Sequence, residues 1–386
     1  MSEKKSRILL ASLDLFWMPD IQKALSSDFE PYLVSTWSLL RKVSNGAPPR
    51  FNLWPFHYLL WLYKRFPFLQ WGNYLYQILV LSFDCCLRCW SPRNYDVLCV
   101  LSGCGLRTLR SFQKHGKRVV IECGSTHTDY QHQILLEEFK RNGIRESLFP
   151  QAYRDRVRRE FIEADWIQIP SQFVKRTFIE AGIPESKLLL NLYGADTSRF
   201  SPRAQDDLDR PFRVICPSGV NLRKGARILV EAWKQLGWKD AELHWIGNAK
   251  APQVRHLFRE PLPGLVWHGW MPHEKLAERY RSCDVLELPS FEEGFARVLV
   301  EGAASGLGLI ATPNTGVEDF FTPEDPEGWL IPVNDIGALC RALEEAKHDR
   351  ARTRQLGLRA AKRTRKGFSP EDYGRRAVEN LQKVVG

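Results

Sequence analysis

The sequence predicts an α/β protein made of two doubly wound domains that face a central cleft. Three observations carry this expectation. At 386 residues the chain exceeds what one hydrophobic core ordinarily supports. Short apolar runs alternate with amphipathic segments through both halves, the pattern of βαβ units on a parallel sheet. Between the halves, Ser201-Pro-Arg-Ala-Gln-Asp-Asp-Leu-Asp-Arg-Pro211 is polar and bracketed by prolines, and reads as an interdomain linker. The expected division is 1–205, 206–366, and a last helix over 367–386 that crosses back to the first domain.

In the first half the apolar runs place strands at Ile8–Ser12, Val97–Leu101, Val119–Glu122 and Trp166–Pro170. Helical spacing places helices at His132–Asn142 and Gln172–Ala181. The second half reads as strands at Arg213–Pro217, Glu242–Ile246, Val266–His268, Val285–Leu288 and Gly308–Thr312. Helices at Lys224–Leu236, His273–Ser282, Arg297–Ser305 and Asp335–Lys347 alternate with them. Beyond Arg350 the chain is basic and helical to Lys366, and Phe368-Ser-Pro-Glu-Asp372 restarts a final helix.

The composition, 44% apolar and 26% charged, is that of an ordinary globular protein. The net charge of +10 is uneven: residues 1–205 hold 28 Lys and Arg against 19 Asp and Glu, whereas residues 206–386 hold 27 against 26. The first half therefore faces something anionic. Nine scattered cysteines read as reduced thiols in a cytoplasmic protein. Cys86-Leu-Arg-Cys89 with Cys99 and Cys104 has a partial zinc spacing, but lacks a second close pair or a histidine, so packing thiols are expected. The stretch Met1–Asp20 superficially resembles a signal peptide; Asp14 interrupts its apolar run, and a first strand is expected there instead. No run of about 18 uncharged apolar residues occurs, so no transmembrane helix is expected.

Residues 31–83 contain no Asp or Glu, and Arg41, Lys42, Arg50, Lys64 and Arg65 are interleaved with aromatic side chains such as Trp37, Trp54, Trp61, Phe66 and Trp71. Rings seated among basic groups suit the headgroup region of an anionic bilayer, so peripheral contact with the cytoplasmic membrane face is expected. A core helix pair is the plainer reading of the same residues. Single-stranded nucleic acid fits less well, because the leucine and isoleucine content exceeds what base stacking needs, and no nucleic-acid partner is expected.

In the second half, Pro289-Ser-Phe-Glu-Glu-Gly-Phe-Ala-Arg-Val-Leu-Val-Glu301 ends a strand, turns at Gly294 and enters a helix. Ligands sit at such strand ends, where helix N-termini favour anions. Glu293 and Glu301 are about two helical turns apart and can share a crevice, where carboxylates accept hydrogen bonds from sugar and ribose hydroxyls. A solvated helix face is the bland alternative for such a pair. Some 70 residues earlier, Pro217-Ser-Gly-Val-Asn-Leu-Arg-Lys-Gly225 also links a strand to a helix and sets Arg223 and Lys224 where a diphosphate could bind. Trp245-Ile-Gly-Asn248, with Gly247, and His268-Gly-Trp-Met-Pro-His273 extend this line of loops.

Over about Asp165 to the C-terminus the sequence resembles the family 4 glycosyltransferases of the GT-B fold, most specifically in Asp284 to Gly306 and in Asn191-Leu-Tyr-Gly-Ala-Asp-Thr-Ser-Arg-Phe-Ser-Pro202. The resemblance implies two Rossmann-like domains, a nucleotide-sugar donor, a glycan or lipid-linked acceptor, transfer with retention of configuration, and neither a cofactor nor a bound metal. On matching positions it implies that Lys224, helped by Arg223, pairs with the donor phosphates, Glu301 with the ribose hydroxyls and Glu293 with the transferred sugar. Backbone N–H groups of Gly294, Phe295 and Ala296 would lie near the sugar. It also implies that His127, in Glu122-Cys-Gly-Ser-Thr-His127, faces the cleft near the donor, although a histidine at a strand end is often only a hydrogen-bonded structural group. The chain departs from the family at Ser218-Gly219, where a Gly-Arg pair is usual, at Ala296 for glycine, and at Gly308 for proline. The usual glycines after the first strand are replaced by Ser12-Leu-Asp-Leu-Phe-Trp17, which leaves Asp14 as a guess for acceptor contact.

Two rival readings remain at this level. Gly103-Cys-Gly-Leu-Arg-Thr108, with Glu122 ending the next strand, partly mimics a dinucleotide fingerprint and would suit an NAD-dependent oxidoreductase using Gly103 and Gly105. A GT-B-like interaction protein without catalysis is the second, and Ser218-Gly219 is the feature that favours it.

Overall fold

The computed structural model describes residues 5–12, 24–35, 50–52, 58, 74–87, 92–144, 149–204, 209–247, 252–322, 324 and 326–386. Asp14, Cys89, residues 205–208 of the linker and most of the aromatic, basic segment lie outside them.

The chain forms two all-parallel sheets. The first has seven strands in the order β3-β2-β1-β4-β5-β6-β7. These are β1 Arg7–Ser12, β2 Glu30–Ser35, β3 Arg50–Asn52, β4 Val97–Leu101, β5 Arg118–Glu122, β6 Trp166–Ile169 and β7 Leu188–Leu190. Its helices are α1 Tyr74–Leu87, α2 Leu106–Lys114, α3 Thr128–Arg141, α4 Gln151–Glu163 and α5 Gln172–Glu180. The second has six strands in the order β10-β9-β8-β11-β12-β13. They are β8 Phe212–Cys216, β9 Ala241–Ile246, β10 Leu265–Gly269, β11 Val285–Leu288, β12 Gly308–Ala311 and β13 Gly328–Leu330. Between and after them run α6 Ala226–Leu236, α7 His273–Arg281, α8 Arg297–Ala304, α9 Ile336–His348, α10 Arg350–Thr364 and α11 Pro370–Val385.

The central strands are apolar on both faces because helices cover both. In β11, Val285 shares a face with Val214, Cys216 and Ile310 beneath α6 and α9. Leu286 and Leu288 point to the opposite core with Leu309 and Ala311. The strands absent from the sequence reading, β2, β3, β7 and β13, lie toward sheet margins, and all but β2 have only three residues. A three-residue strand such as Arg50–Asn52 is too brief to show any periodicity.

Each sheet reverses its strand order once, between β1 and β4 and between β8 and β11. Crevices outside the carboxyl ends of strands at such reversals are where doubly wound sheets bind ligands. The linker ends converge on Asp284, whose carboxylate accepts from Arg210 (2.8 Å) and Arg203 (3.4 Å). The last helix, α11, starts with a reciprocal cap between Ser369 and Asp372 and with Pro370 in its first turn. It lies on the first sheet: Asn380 Nδ2 donates to Leu190 O (3.1 Å), Arg376 Nη2 to Leu192 O (2.7 Å), and Tyr373 Oη to Glu122 Oε1 (3.4 Å). Gly374 permits this contact, since a Cβ there would stand 2.5 Å from that of Ala24. Among the described residues no helix is long and apolar enough to cross a membrane.

Candidate functional site

The segment after β11 crosses the carboxyl edge of the second sheet before entering α8. There Glu293 is buried, and its carboxylate accepts from Lys224 Nζ, Ser290 Oγ (3.3 Å) and Arg223 Nη2 (3.4 Å). Lys224 and Arg223 arrive on the loop after β8, where the Asn221 side chain accepts the Lys224 N–H (3.0 Å) and Arg223 O accepts the Phe291 N–H (2.9 Å). The helix expected from Lys224 begins at Ala226 instead. Gly225 precedes it with φ +74°, and a Cβ there would fall 2.1 Å from Pro289 O. That left-handed glycine turns Lys224 off the helix and toward Glu293.

The neighbouring Glu292 was not singled out from the sequence, yet it has more partners than any predicted residue. It is fully buried and accepts from Arg223 Nε (2.7 Å), Ser125 Oγ (2.9 Å), Thr126 N (3.1 Å), Thr126 Oγ1 (2.8 Å) and Gln131 Nε2 (3.0 Å). Burial alone would raise its pKa, but the Arg223 guanidinium and these donors hold it down at about 2. Glu292 therefore joins the two halves, since Ser125, Thr126 and Gln131 belong to the first. Beside it Gly294 packs against Gly124, where a Cβ would stand 2.0 Å from the carbonyl oxygen, and Ser171 Oγ donates to Gly294 O (2.6 Å). Asn314 adds a third tie: its carbonyl accepts the Glu293 N–H (2.9 Å), and its Nδ2 donates to Phe291 O (2.8 Å) and Tyr130 Oη (3.0 Å).

Glu301 sits just over one turn into α8, buried, with Tyr280 Oη at 3.4 Å. Desolvation pushes its carboxyl up to about 7 against the opposing pull of Arg297 and the Tyr280 hydroxyl. Arg297, also missed from the sequence, opens α8 with its Nε buried and without an acceptor among the described residues. Gly247 lies at the end of β9, so close to the β8 loop that a Cβ would stand 2.2 Å from Ser218 O. The cluster thus gathers Arg223, Lys224, Glu292 and Glu293, two positive and two negative groups, over the reversal of the second sheet. Its signals in the sequence were a doubled glutamate and two adjacent cations on separate loops.

Three expectations are corrected. His127 does not stand free in the cleft. It caps α3, its Nδ1 accepting the Asp129 N–H (3.3 Å), and its ring is buried against Phe161 and Phe178 with centroids 5.5 and 5.2 Å away. Burial, with Arg158 adding repulsion and Asp129 opposing, lowers its pKa, so the ring stays neutral. Ala296 has no spare donor, because its N–H bonds to Thr315 O (2.9 Å), and the Phe295 ring is buried beside Tyr193, Phe320 and Phe368. The dinucleotide reading fails at the start of α2. The Gly103 and Gly105 N–H groups donate to Glu160, and the Arg107 (2.9 Å) and Thr108 (3.0 Å) N–H groups donate to Asp84. Two internal carboxylates fill the place a pyrophosphate would take. Cys99 and Cys104 lie in different cores, on opposite faces of the first sheet.

Comparison with known proteins bears on the family and the fold. Residues 211–349 match the family model described as glycosyl transferases group 1. A putative colanic acid biosynthesis glycosyltransferase, WcaL of Escherichia coli (strain K12), is 26% identical over 215 residues, 53% of this chain and 53% of that protein. The amylovoran biosynthesis glycosyltransferase AmsK of Erwinia amylovora is 23% identical over 291 residues, 72% of this chain and 67% of that protein. The chain thus spans about half to two thirds of these relatives. In fold it is similar to a sucrose-phosphate synthase of Thermosynechococcus elongatus, with a TM-score of 0.74 at 16% identity over 98% of this chain and 99% of that one.

Proposed function

From residues 211–349, which match the group 1 glycosyl transferase model, on a chain with the GT-B fold, we propose that the protein transfers a sugar from a nucleotide-sugar to a glycan or lipid-linked acceptor in polysaccharide or glycolipid synthesis. The observation that carries the reading is the four-charge cluster at the reversal of the second sheet. Departure of a nucleoside diphosphate builds negative charge, and Lys224 and Arg223 stand where they can balance it. Each now pairs with a carboxylate. A bound diphosphate takes the free N–H groups of Lys224 and Arg223, and Glu293 is released to accept from the hydroxyls of the transferred sugar. Glu292 keeps Arg223 aimed, because its other four hydrogen bonds come from the first domain. Glu301 receives the ribose hydroxyls. The reading includes transfer with retention through an oxocarbenium-like state, which Lys224 and Arg223 favour by balancing the charge of the departing diphosphate. The acceptor enters from the basic first domain, which is held at an anionic membrane surface.

The test is a thermal-shift screen with nucleoside diphosphates and their sugars, followed by chromatographic detection of released diphosphate. A ligand at about 100 times its dissociation constant adds roughly 2.7 kcal/mol of stability. Stabilisation by one nucleotide class, lost in Lys224→Ala, is the expected result. No shift with any nucleotide sinks the reading. Binding without release of diphosphate under any acceptor mixture would leave a non-catalytic binding protein.

A further inference from the structure

On the outer helical layer of the first domain, well away from the four-charge cluster in sequence, a cavity of about 440 Å³ opens between α1, α2 and α4. Four guanidinium groups line it: Arg107 and Arg110 from α2, and Arg156 and Arg159 from α4. Their commitments differ. Arg110 is held by Glu163 in a two-pronged pair (2.6 and 2.7 Å), and Arg156 by Asp84 (2.7 Å). Arg107 and Arg159 are exposed and form no salt bridge among the described residues: Arg159 acts on Glu163 only through its longer-range charge, and Arg107 Nη1 reaches the Cys85 thiol (3.0 Å). The wall's carboxylate, Asp155, is already shared between Gln151 (2.8 Å) and Arg158. Among the described residues, two of the four guanidinium groups are therefore left without a salt bridge. Gln77, also in the wall, carries an Nε2 that is buried and lacks an acceptor among the described residues. A donor left unpartnered costs free energy unless something accepts from it.

The rim on α1 has the opposite chemistry. Leu81 is 42% exposed and Ile78, one turn earlier, 59% exposed, whereas Leu79, Val80 and Phe83 on the other face are buried in the core. Guanidinium forks suit phosphate oxygens, and an apolar edge beside them suits a chain attached to that phosphate. A free sugar phosphate would leave Ile78 and Leu81 in water.

We propose that this cavity seats the phosphate headgroup of an anionic membrane lipid, with Arg107 and Arg159 on the phosphate, Gln77 donating to it, and Ile78 and Leu81 against the lipid chains. The site takes its walls from three helices of the first domain and none from the second half, so it does not depend on the donor reading. It anchors the first domain on a bilayer with the α1 edge down, which adds a defined contact to the diffuse attraction of a basic surface.

Flotation of the full chain on density gradients tests this, using vesicles of phosphatidylcholine alone and with phosphatidylglycerol added. The wild type is expected to float with the mixed vesicles only. The combined change Arg107→Glu and Arg159→Glu breaks no ion pair in the described structure and should lower vesicle partition roughly tenfold or more. An equal charge change on α10, Arg352→Glu with Arg363→Glu, should not. Leu81→Asp should lower flotation while leaving the thermal shift by soluble glycerol phosphate in place. Unchanged nucleotide-induced stabilisation in each variant shows that it is folded and that the donor reading stands separately. The proposal is overturned if the wild type stays at the bottom with both vesicles, or if the α2–α4 and α10 variants lose flotation equally. A glycerol phosphate shift without flotation overturns the lipid assignment.

Discussion

Glu287 stands in the middle of β11, fully buried, with neither carboxylate oxygen hydrogen-bonded in the described structure. The polar group set against it is the Cys216 thiol on the neighbouring strand, itself buried. Burial pushes the Glu287 pKa from its ordinary 4.5 up to about 8, with Cys216 opposing weakly. The folded protein therefore keeps a proton that the unfolded chain releases above about pH 4.5. Stability from this group is full below 4.5 and falls as pH rises toward 8, by about 1.4 kcal/mol per unit, so that roughly 3 kcal/mol is gone by pH 7 and about 5 at most beyond pH 8. Glu160, Glu301 and Asp319 are likewise raised to about 7, so the wild-type curve contains several such contributions. Replacing Glu287 by leucine removes one of them. Urea unfolding followed by tryptophan fluorescence at about pH 5.5, 7 and 8.5 isolates it, because the midpoint and slope give stability at each pH. Glu287→Leu should be more stable than wild type, and its advantage should widen by about 1 kcal/mol or more per pH unit across the series. If the two curves run parallel, Glu287 is ionised in the fold and the reasoning is wrong.

Glu301 gives a pH signature of ligand binding. If ribose hydroxyls donate to its carboxylate, nucleoside diphosphate affinity measured by calorimetry should fall up to about tenfold per unit below pH 7 and should lose that part of its pH dependence in Glu301→Gln. Flat wild-type affinity would remove Glu301 from the site. Glu292→Gln leaves Arg223 with only its longer contact to Glu293 (3.4 Å), and since Arg223 is 31% exposed the expected loss is about 2 kcal/mol, below the range for a fully buried pair. Because Glu292 is held near 2 in the fold, its stabilisation is present above pH 4.5 and fades as pH falls toward 2, so the variant should lose less stability over that window than wild type. Equal acid sensitivity in denaturant titrations would contradict this. Gly294→Ala drives a Cβ into Gly124 O and should part the two loops, lowering turnover by about tenfold or more while the melting transition persists. Unaltered turnover would show that the contact is not needed for catalysis.

The sequence by itself determined what is local. Alternating apolar and amphipathic runs specify parallel sheets whatever the partners, and strand-to-helix turns at Pro289 and Pro217 place Glu293, Glu301, Arg223 and Lys224 at one sheet edge. Only the tertiary structure decided which groups face each other. Glu292 and Glu293 are adjacent in sequence and both buried, yet one is bound by Ser125 and Thr126 of the other half and the other by Lys224, pairs more than 65 residues apart. Nothing in the spacing around His127 tells an exposed ring from one turned onto Phe161 and Phe178, because the same strand-turn-helix pattern permits both. Gly103 and Gly105 show the same limit: they have the right residues for a phosphate loop, and Glu160, 55 residues on, fills it. Secondary structure follows from neighbours along the chain, whereas the partners of a charged side chain are set by burial, which depends on how distant segments pack.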